Sequence, residues 1–569
     1  MSKHDAAETL VLEYNLFDLP TAQHKAGLAG LLLMVESMKR RRMKNLPDVA
    51  ASDRAAVTVA FTRESMQSVF DDLYDAVLVE VEAKQKWSEV EPKRIVEKSV
   101  TSPNGKAKTE KRFVYDVIQP KGAFLAALYP DDSWVALWRD MLWKTLRSKP
   151  ASRGLFKERA DGKPSSVAGD AKGGLWAELI KAQADLAKGK LRTDSVAGTL
   201  FIGAQDTNAE RVSFQGPIAH NFLLHFWLIA SLTYVPRTLA IDGKSDYAGF
   251  VIVVPEPSHL AQFTSDFLAF VASLPTEAAG RTPRAALIDV PEEGGLEYLY
   301  HMVRRRVADS ELSLAVSAVE IYRLESRGKS VHTLAAERIS PTATMLRRYE
   351  ALRKGCWNPL YKSLRIGNLL SQSAWFSNAD ALFGRFPFAF FPSVHGKSPA
   401  RISPFGRDVS QTFRALSDDL ELMKGPVPVC NETRPDDRLA VLVHRLTRAF
   451  VNHETKDRSG IDYESLKTKV DDQGRIRYPE AYRDAREKAC SSAFLAMRGR
   501  RAEDFIEYFT GTICSVPQFL KEDEFVALSR ALIDDPDTVK MLSMLALSAH
   551  SYLPSPKNTE SPSQEGESP

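Results

Sequence analysis

At 569 residues, the chain is too long for one ordinary hydrophobic core, and we expect two to four domains. Apolar residues make up 44% of it and charged residues 26%, which is typical of a soluble globular protein and excludes a wholly disordered chain. The 76 basic and 73 acidic residues nearly cancel, so the distribution of charge is more informative than the net +3.

The N-terminal residues 1–5 are polar and lack the apolar core of a signal peptide, which argues against export. The cysteines are too few and too dispersed for a disulfide framework, and their spacing fits no metal or redox motif. A reducing compartment fits best, and we predict a cytoplasmic protein. The cysteines are Cys356, Cys430, Cys490 and Cys514.

The first elements alternate between strand and helix patterns. Residues 10–14 alternate with a period of two and predict a strand, and an apolar helix follows from Thr21 through Val35. A second strand is predicted at 57–61 and an amphipathic helix at about 64–84. This order predicts an α+β or α/β beginning. The first helix ends in a basic run that suits a polyanion, although such runs are more often solvated faces. Its residues are Lys39, Arg40, Arg41, Arg42 and Lys44.

Residues 93–121 predict a basic β-hairpin. Two β-prone runs, 94–100 and 112–118, flank a connection with Asn104-Gly105, a strong turn signal because both residues accept positive φ. The span has eight Lys or Arg and three acids, a local charge of +5. Such a ribbon can enter a DNA groove and neutralise phosphates, whereas the alternative is a solvated surface hairpin. The candidate contacts are Lys98, Asn104, Lys106, Lys108, Lys111 and Arg112.

A Trp-rich helix is predicted around residues 134–142, followed by an exposed and partly mobile connection at 148–174. That connection carries a further basic cluster, and aromatic residues beside it and in the hairpin (Phe156, Phe113 and Tyr115) could stack on unpaired bases or belong to the core. Another cluster lies at 304–306. The basic candidates in the connection are Arg153, Lys157 and Arg159.

The segment 217–236 is almost wholly apolar but contains His220, Asn221 and His225, which are costly in a bilayer. A buried core helix at 218–235 is the better interpretation. After it, 249–255 reads as a strand buried on both faces. The later predictions are a helix at 258–273, a strand at 313–324, a basic helix at 342–353 and a packed Phe- and Pro-rich loop at 384–405.

Two Pro-bearing breakers between 424 and 435 mark a domain boundary. We predict an α+β domain at 1–422, a helical bundle resembling a small subunit at 423–553, and a disordered tail at 554–569. The bundle helices are predicted at 436–454, 479–497, 502–514, 521–533 and 537–553. Phosphate-contact candidates in the bundle are Arg445, Arg448, Arg498, Arg500 and Arg501.

Catalytic signatures do not stand out: we find no phosphate-binding loop, dinucleotide fingerprint, metalloprotease helix or nucleophile elbow. His220 and His225 lie on different helix faces and are predicted core residues, while His444 and His453 are predicted at the surface. We therefore predict a non-enzyme without metal or cofactor. An enzyme whose site is assembled from dispersed residues stays an alternative.

Specific strings resemble a known family. The opening Tyr-Asn-Leu-Phe-Asp-Leu-Pro-Thr-Ala-Gln-His-Lys-Ala-Gly from Tyr14 looks like the start of the large subunit (Myxan type) of type I CRISPR Cascade complexes, subtype I-B. The string Gly-Phe-Val-Ile-Val-Val-Pro-Glu from Gly249 is similar to another stretch, as is Gly-Cys-Trp-Asn-Pro-Leu-Tyr from Gly355 with the nearby Gly367-Asn-Leu-Leu and Ala374-Trp-Phe. The resemblance runs from about residue 10 to 400, and the helical remainder agrees with it in architecture.

The resemblance implies a role in antiviral defence. Such a subunit reads a protospacer-adjacent motif (PAM) in duplex DNA, helps to open the duplex, steadies the displaced strand of the R-loop and recruits a helicase–nuclease, while a crRNA supplies sequence specificity. The implied partners are crRNA, double-stranded target DNA, the backbone, foot and small subunits, and no membrane. The alternative is a free-standing DNA- or RNA-binding protein or a specificity subunit of another defence system.

Overall fold

The computed structural model describes residues 9–52, 54–88, 90–101, 107–169, 174–203, 214–303, 315–327, 330–392, 402–422, 435–467 and 476–554. The predicted Asn104-Gly105 turn, the arginine cluster at 304–306, the boundary segment after Leu422 and the tail beyond Pro554 lie outside these residues.

The strands form antiparallel sheets, apart from one short parallel pair, β9 with β14. Their order is β1-β3-β2 in one sheet, β4-β6-β5 in a second and β10-β9-β11-β15-β16 in the largest, and β12-β13 and β7-β8 are small pairs. The strands are β1 Leu10–Asn15, β2 Asp48–Ser52, β3 Ala56–Phe61, β4 Ala76–Ala83, β5 Arg94–Thr101, β6 Ala107–Pro120, β7 Thr193–Ser195, β8 Gln215–Pro217, β9 Leu232–Leu239, β10 Ser245–Tyr247, β11 Phe250–Pro257, β12 Ala278–Ala279, β13 Thr282–Pro283, β14 Leu287–Ile288, β15 Val316–Arg327 and β16 Ser330–Ile339.

Helices accompany the strands up to residue 303 and dominate from residue 343 onwards. They are α1 Ala22–Arg40, α2 Arg63–Leu73, α3 Ala123–Ala126, α4 Asp132–Lys144, α5 Gly154–Ala160, α6 Leu175–Leu186, α7 Ile218–Leu223, α8 Trp227–Ala230, α9 Leu260–Ala272, α10 Pro291–Val303, α11 Ala343–Gly355, α12 Pro359–Leu370, α13 Ala379–Arg385, α14 Phe405–Leu422, α15 Pro435–Ser459, α16 Tyr463–Leu466, α17 Glu480–Arg498, α18 Ala502–Tyr508, α19 Glu522–Asp534 and α20 Pro536–Ser551. The predicted fold class, a mixed N-terminal region followed by a helical C-terminal region, is confirmed.

The chain divides into two compact units. The first comprises Met1–Pro236 and Ala248–Pro341, and the second comprises Arg237–Tyr247 and Thr342–Pro569. The division between units therefore follows Pro341, whereas the predicted boundary at residue 423 lies within the second unit. The boundary at residue 423 stays a prediction that the fragment 423–553 can fold separately.

In the first unit, α1 is buried along most of its length and organises the core. Thr21 caps its N-terminus by accepting a hydrogen bond from the His24 backbone N–H. Gly27 and Gly30 allow a close approach of α7 and α8, because a Cβ at either position would overlap the carbonyl oxygen of Leu223 or Phe226. The string that begins at Tyr14 thus includes the N-cap and the first, tightly packed turns of α1.

The second unit has one core shared by its helices. Phe405, Val409 and Phe413 of α14 are buried in the same cluster as Val443 and Leu545 from the later helices. The Gly355 string forms the turn before α12. There, the Asp408 carboxylate accepts hydrogen bonds from the backbone N–H groups of Trp357 and Asn358, both at 2.6 Å.

Three sequence-based predictions are wrong. The helix predicted to reach residue 84 ends at Leu73, and residues 76–83 form β4. The buried helix predicted at 218–235 is two short helices, α7 and α8, followed by β9. The connection at 148–174, predicted to be an exposed and partly mobile loop, contains the helix α5, whose Phe156 is 2% exposed.

Candidate nucleic-acid interface

Two consecutive aspartates at the end of α2 hold basic side chains from two of the predicted clusters. The guanidinium of Arg41 contacts both carboxylate oxygens of Asp72, with Nη1 to Oδ1 at 2.8 Å. Arg159 of α5 donates from Nε to the Asp71 carbonyl at 3.2 Å, and its Nη1 lies 3.5 Å from the Asp71 carboxylate. Asp72 is 7% exposed, so this ion pair is largely buried. The α2 terminus therefore links the ends of α1 and α5.

The neighbours of Arg41 remain in solvent. Lys39, Arg40, Arg42 and Lys44 are all exposed, and Arg40 makes a surface ion pair with Glu36 at 3.1 Å. Cations at a helix C-terminus are stabilised by the helix dipole, so this position holds positive charge at little cost. We call these four residues the α1-end cluster. It is a concentrated patch of basic side chains on a firmly anchored helix end.

The arginines of the 148–174 connection hold α5 in place. Arg153 lies over the Trp143 ring, 4.6 Å from its centroid, and donates to the carbonyl of Arg147 at 2.7 Å. Desolvation lowers the pKa of the Arg153 guanidinium. Lys157, in contrast, is exposed. The contacts of Arg153 and Arg159 are structural, and Lys157 is the most accessible of the three candidates.

The predicted basic hairpin is present and is part of a larger sheet. Strand β5 pairs antiparallel with β6, from Arg94 opposite Val114 to Thr101 opposite Ala107. On its other side β6 pairs with β4, so that Glu80 lies opposite Asp116 and Glu82 opposite Val114. Residues directly opposite each other share a face of a sheet. The two β4 glutamates thus lie on the same face as Arg94, Lys98 and Arg112, whereas Lys111 lies on the opposite face.

These glutamates pair with hairpin cations. Arg94 contacts Glu80 at 2.6 Å, and Lys98 contacts Glu82 at 2.8 Å. Hydrogen bonds to Asp116 and Glu80 raise the pKa of the Lys93 ammonium. Counting residues 76–121 instead of 93–121 lowers the local charge from +5 to +3. Sequence reasoning missed these partners because residues 76–83 were expected to be helical.

The remaining hairpin candidates differ in accessibility. Arg112 is 17% exposed and contacts Glu110 at 2.8 Å, whereas Lys111 is exposed and lies opposite Glu97. Lys108 belongs to the part of β6 that pairs with Val100. Asn104 and Lys106 are outside the described residues. Lys111 is therefore an exposed basic candidate, like Lys98, among the hairpin side chains that the structure describes.

Of the aromatic candidates in and near the hairpin, Tyr115 and Phe156 are core residues. Tyr115 is 1% exposed, and the Trp87 ring is stacked on it at a centroid distance of 4.0 Å. The Tyr115 hydroxyl also accepts a hydrogen bond from the Trp87 backbone N–H at 2.8 Å. Trp87 itself is 40% exposed. The accessible ring at this position is Trp87, which the sequence had not singled out.

In the second unit, three of the predicted arginines make contacts within the protein. Arg445 forms a two-point ion pair with Glu524 at 2.7 and 3.0 Å, which lowers the pKa of that carboxyl. Arg498 donates to the carbonyl of Phe386 at 2.9 Å, and Arg500 lies 4.7 Å from the Tyr508 ring centroid. Arg501 is exposed at the start of α18.

Arg448 belongs to a cation–aromatic group that the sequence did not reveal. Its guanidinium lies 6.0 Å from the Tyr463 ring centroid, and the ammonium of Lys467 lies 5.5 Å from the same centroid. Arg448 and Lys467 are both exposed. Residues 448 and 467 are far apart in sequence, so no local motif marks them. A ring flanked by two cations combines the stacking and charge features of single-strand binding.

His225 and His444 pack within the protein. Burial lowers the pKa of His225 to about 3, and its Nδ1 lies 2.6 Å from the Tyr74 hydroxyl. His444 was predicted at the surface, but it is stacked between Phe413 and His550, with both centroids at 4.3 Å. In the described part of the chain, no three His, Cys, Asp or Glu side chains come together as a metal site. Of the described helices, none has the length and hydrophobicity that crossing a bilayer requires.

Family models match nearly the whole chain. The model of the Type I-B CRISPR Cas8b N-terminal domain matches residues 46–311, and that of the Type I-B CRISPR Cas8b C-terminal domain matches residues 316–550. Comparison with curated proteins gave no match. The family inferred from the sequence is confirmed; the Gly249 and Gly355 strings lie within the matched residues, and the Tyr14 string precedes them. The chain belongs to the Cas8b family, the large subunits of type I-B CRISPR effector complexes.

Proposed function

We propose that this chain is a DNA-engaging, non-catalytic large subunit of a crRNA-guided surveillance complex in the cytoplasm. In this role it recognises the PAM in duplex DNA, promotes duplex opening, stabilises the R-loop and recruits a helicase–nuclease. Its partners are crRNA, target DNA and the backbone, foot and small subunits. Cleavage is assigned to the recruited enzyme, so the chain itself needs binding surfaces rather than an active site.

The observation that carries the DNA-binding part is the α1-end cluster. Arg41 fixes the helix end through Asp72, and Lys39, Arg40, Arg42 and Lys44 surround that fixed point with exposed positive charge. Phosphate contacts position a protein on a duplex and depend on salt through counterion release. A fixed group of cations is better suited to that task than the hairpin residues Lys98 and Arg112, which are paired with Glu82 and Glu110.

The test is to assemble the complex with a variant in which Lys39, Arg40, Arg42 and Lys44 are all Ala and Arg41 is kept. We expect target-DNA affinity to fall and the slope of log K against log salt to flatten by about 0.9 for each lost phosphate contact. The matched control replaces Lys181, in the middle of α6, and Lys188, two residues beyond the end of that helix. Unchanged affinity and slope in the cluster variant would contradict the proposal.

Co-purification separates the main role from its alternative. A large subunit is expected to purify with a repeat-derived RNA and several partner chains, whereas a free-standing DNA- or RNA-binding protein purifies alone. Sequencing the bound RNA and weighing the intact assembly by native mass spectrometry distinguishes the two. Purification without crRNA or partner chains from cells that express the whole locus would favour the alternative.

A further inference from the structure

Helix α19 presents large apolar side chains to solvent. Phe525 is 60% exposed, Val526 41% and Ile533 77%. At 3.6 residues per turn, these three positions fall within an arc of about 100°, so they form one stripe along the helix. Phe519, three residues before the helix, is 87% exposed. Single exposed apolar residues need no explanation, but a contiguous stripe marks an interaction site.

Most of the charged residues around the stripe are acidic, although the exposed Arg530 lies on the same side of the helix as Asp523 and Asp534. Residues 519–537 contain six Asp or Glu and two Lys or Arg, a net charge of −4 in a chain whose net charge is +3. Glu522 and Asp523 lie at the start of α19, and Asp534 is its last residue. A carboxylate at a helix C-terminus is unfavourable because it faces the negative end of the helix dipole. The end of α19 therefore has an exposed large apolar side chain, Ile533, next to a carboxylate, Asp534, at the unfavourable end of the helix dipole. Both features are locally unfavourable, and such features are typical of functional surfaces.

The negative charge around the stripe indicates which kinds of molecule could bind to it. Nucleic acid and anionic lipid are repelled by the acidic residues, and a second copy of α19 would set acids against acids. The chain's own tail at 555–569 carries three Glu and one Lys, so it has the wrong sign as well. The complement is an apolar ridge bordered by Lys or Arg. A protein surface offers both features, with an aromatic and an aliphatic anchor at its centre.

We propose that α19 is the docking surface for a second, different protein chain that presents an apolar helix bordered by lysine or arginine. Phe525 and Ile533 are its anchors, and Asp523 and Asp534 set the charge of its rim. Arg445 supports this surface from behind, since its ion pair with Glu524 joins α15 to α19. The inference does not rest on the nucleic-acid role, because no contact in it involves DNA or RNA.

The test is photo-crosslinking in cells that express the chain with its whole locus. Benzoylphenylalanine replaces Phe525 in one variant and Ala527, an exposed residue on another face of α19, in the control. We expect an adduct with a second protein that is at least tenfold more abundant at 525 than at 527. The crosslinked peptide should carry Lys or Arg beside apolar residues. An adduct with nucleic acid, with another copy of this chain or with its own tail, or no preference for 525, overturns the proposal.

A charge reversal tests the rim. The pair Asp523→Lys and Asp534→Lys should reduce the adduct at 525 at least tenfold. The thermal midpoint should change little, because both side chains are exposed and the helix-dipole effects of Lys at the two ends of α19 oppose each other. An adduct that survives the reversal contradicts the proposal. Phe525→Ser with Ile533→Ser should leave crRNA co-purification and DNA affinity intact. If the unsubstituted chain itself neither co-purifies with crRNA nor binds target DNA, the proposed function fails. The crosslinking result at position 525 still tests the docking surface in that case.

Discussion

The guanidinium of Arg41 and the carboxylate of Asp72 form a two-point ion pair between side chains that are 31 residues apart in sequence. Asp72 is 7% exposed, so the pair lies at the edge of the core. Arg41 of the basic run therefore stabilises the fold, and its exposed neighbours are the residues that could bind a partner. A basic run in sequence does not distinguish these two uses.

Arg41→Ala should destabilise the first unit. The substitution leaves the Asp72 carboxylate buried without its cation, and we expect a loss of about 2 kcal/mol, less than for a fully buried pair because Arg41 is partly exposed. Arg40→Ala is the matched control, since its exposed pair with Glu36 contributes at most about 0.5 kcal/mol. Urea unfolding measures both. Equal effects of the two substitutions would contradict the assignment of Arg41 to the fold.

The sequence predicted most helices and strands correctly where capping or turn residues bound a clear hydrophobic periodicity. Thr21 caps α1 as expected. The apolar run at 249–255 forms most of β11, which is buried on both faces and lies between β9 and β15 in the sheet. Residues 218–235 were misassigned because a continuous apolar run has no period that separates helix from strand. Residues 76–83 alternate as a strand should, but neither Gly nor Pro marks the break after Leu73.

The sequence predicted which basic residues are candidates for the site, but it did not predict which of them form ion pairs within the protein. The sequence identifies clusters of Lys and Arg, but the acids that engage them come from other elements. Glu82 lies on β4, which β6 separates from the strand of Lys98, and Asp71 is 88 residues from Arg159. The exposed remainder, such as Lys39 and Lys111, is defined only after tertiary structure has assigned those partners.

Acidification should destabilise the second unit through its buried histidines. Burial lowers the pKa of His444 to about 3 and that of His550 well below its ordinary value, and Arg448 and Arg486 lower both further. The unfolded chain takes up protons below about pH 6.5 while the folded chain does not, so stability falls as pH decreases from there. Each histidine contributes a slope of up to about 1.4 kcal/mol per pH unit.

Denaturant unfolding between pH 7 and pH 5 measures this slope. His444→Phe keeps a ring between Phe413 and His550 and should remove about half of the pH dependence. His453→Asn is the control on the same helix, because the His453 side chain is 51% exposed. A slope that is unchanged in His444→Phe would show that other groups govern the acid sensitivity.

The separable C-terminal fragment can be tested at two starting points. The predicted bundle, 423–553, should be soluble and helical by circular dichroism. A fragment of 342–554 should be more stable, because it retains Phe405, Val409 and Phe413 of α14 in the shared core, and each buried phenylalanine contributes about 1.5–3 kcal/mol. Thermal unfolding of both fragments measures the difference. Equal stability would place the functional boundary at residue 423, and aggregation of the shorter fragment would contradict it.

The hairpin should contribute to DNA binding through the three lysines nearest its predicted Asn104-Gly105 turn. Lys106, Lys108 and Lys111 replaced together by Ala should weaken target-DNA binding and flatten the salt dependence by about 0.9 log units per lost contact. Lys98→Ala is the matched control: its side chain already pairs with Glu82 at 2.8 Å, so its replacement should change affinity less. Assembly with crRNA should persist in both variants.

Removing the sheet's own acids should have the opposite effect. Glu80→Gln with Glu82→Gln releases Arg94 and Lys98 and raises the local charge by two, so DNA affinity should increase and the salt slope should steepen. This change adds no new cation, and a gain in affinity would therefore locate the duplex beside the β4-β6-β5 sheet. If neither the lysine variant nor the glutamate variant alters affinity or salt slope, the hairpin does not contact the duplex, and the α1-end cluster remains the candidate for the phosphate contacts.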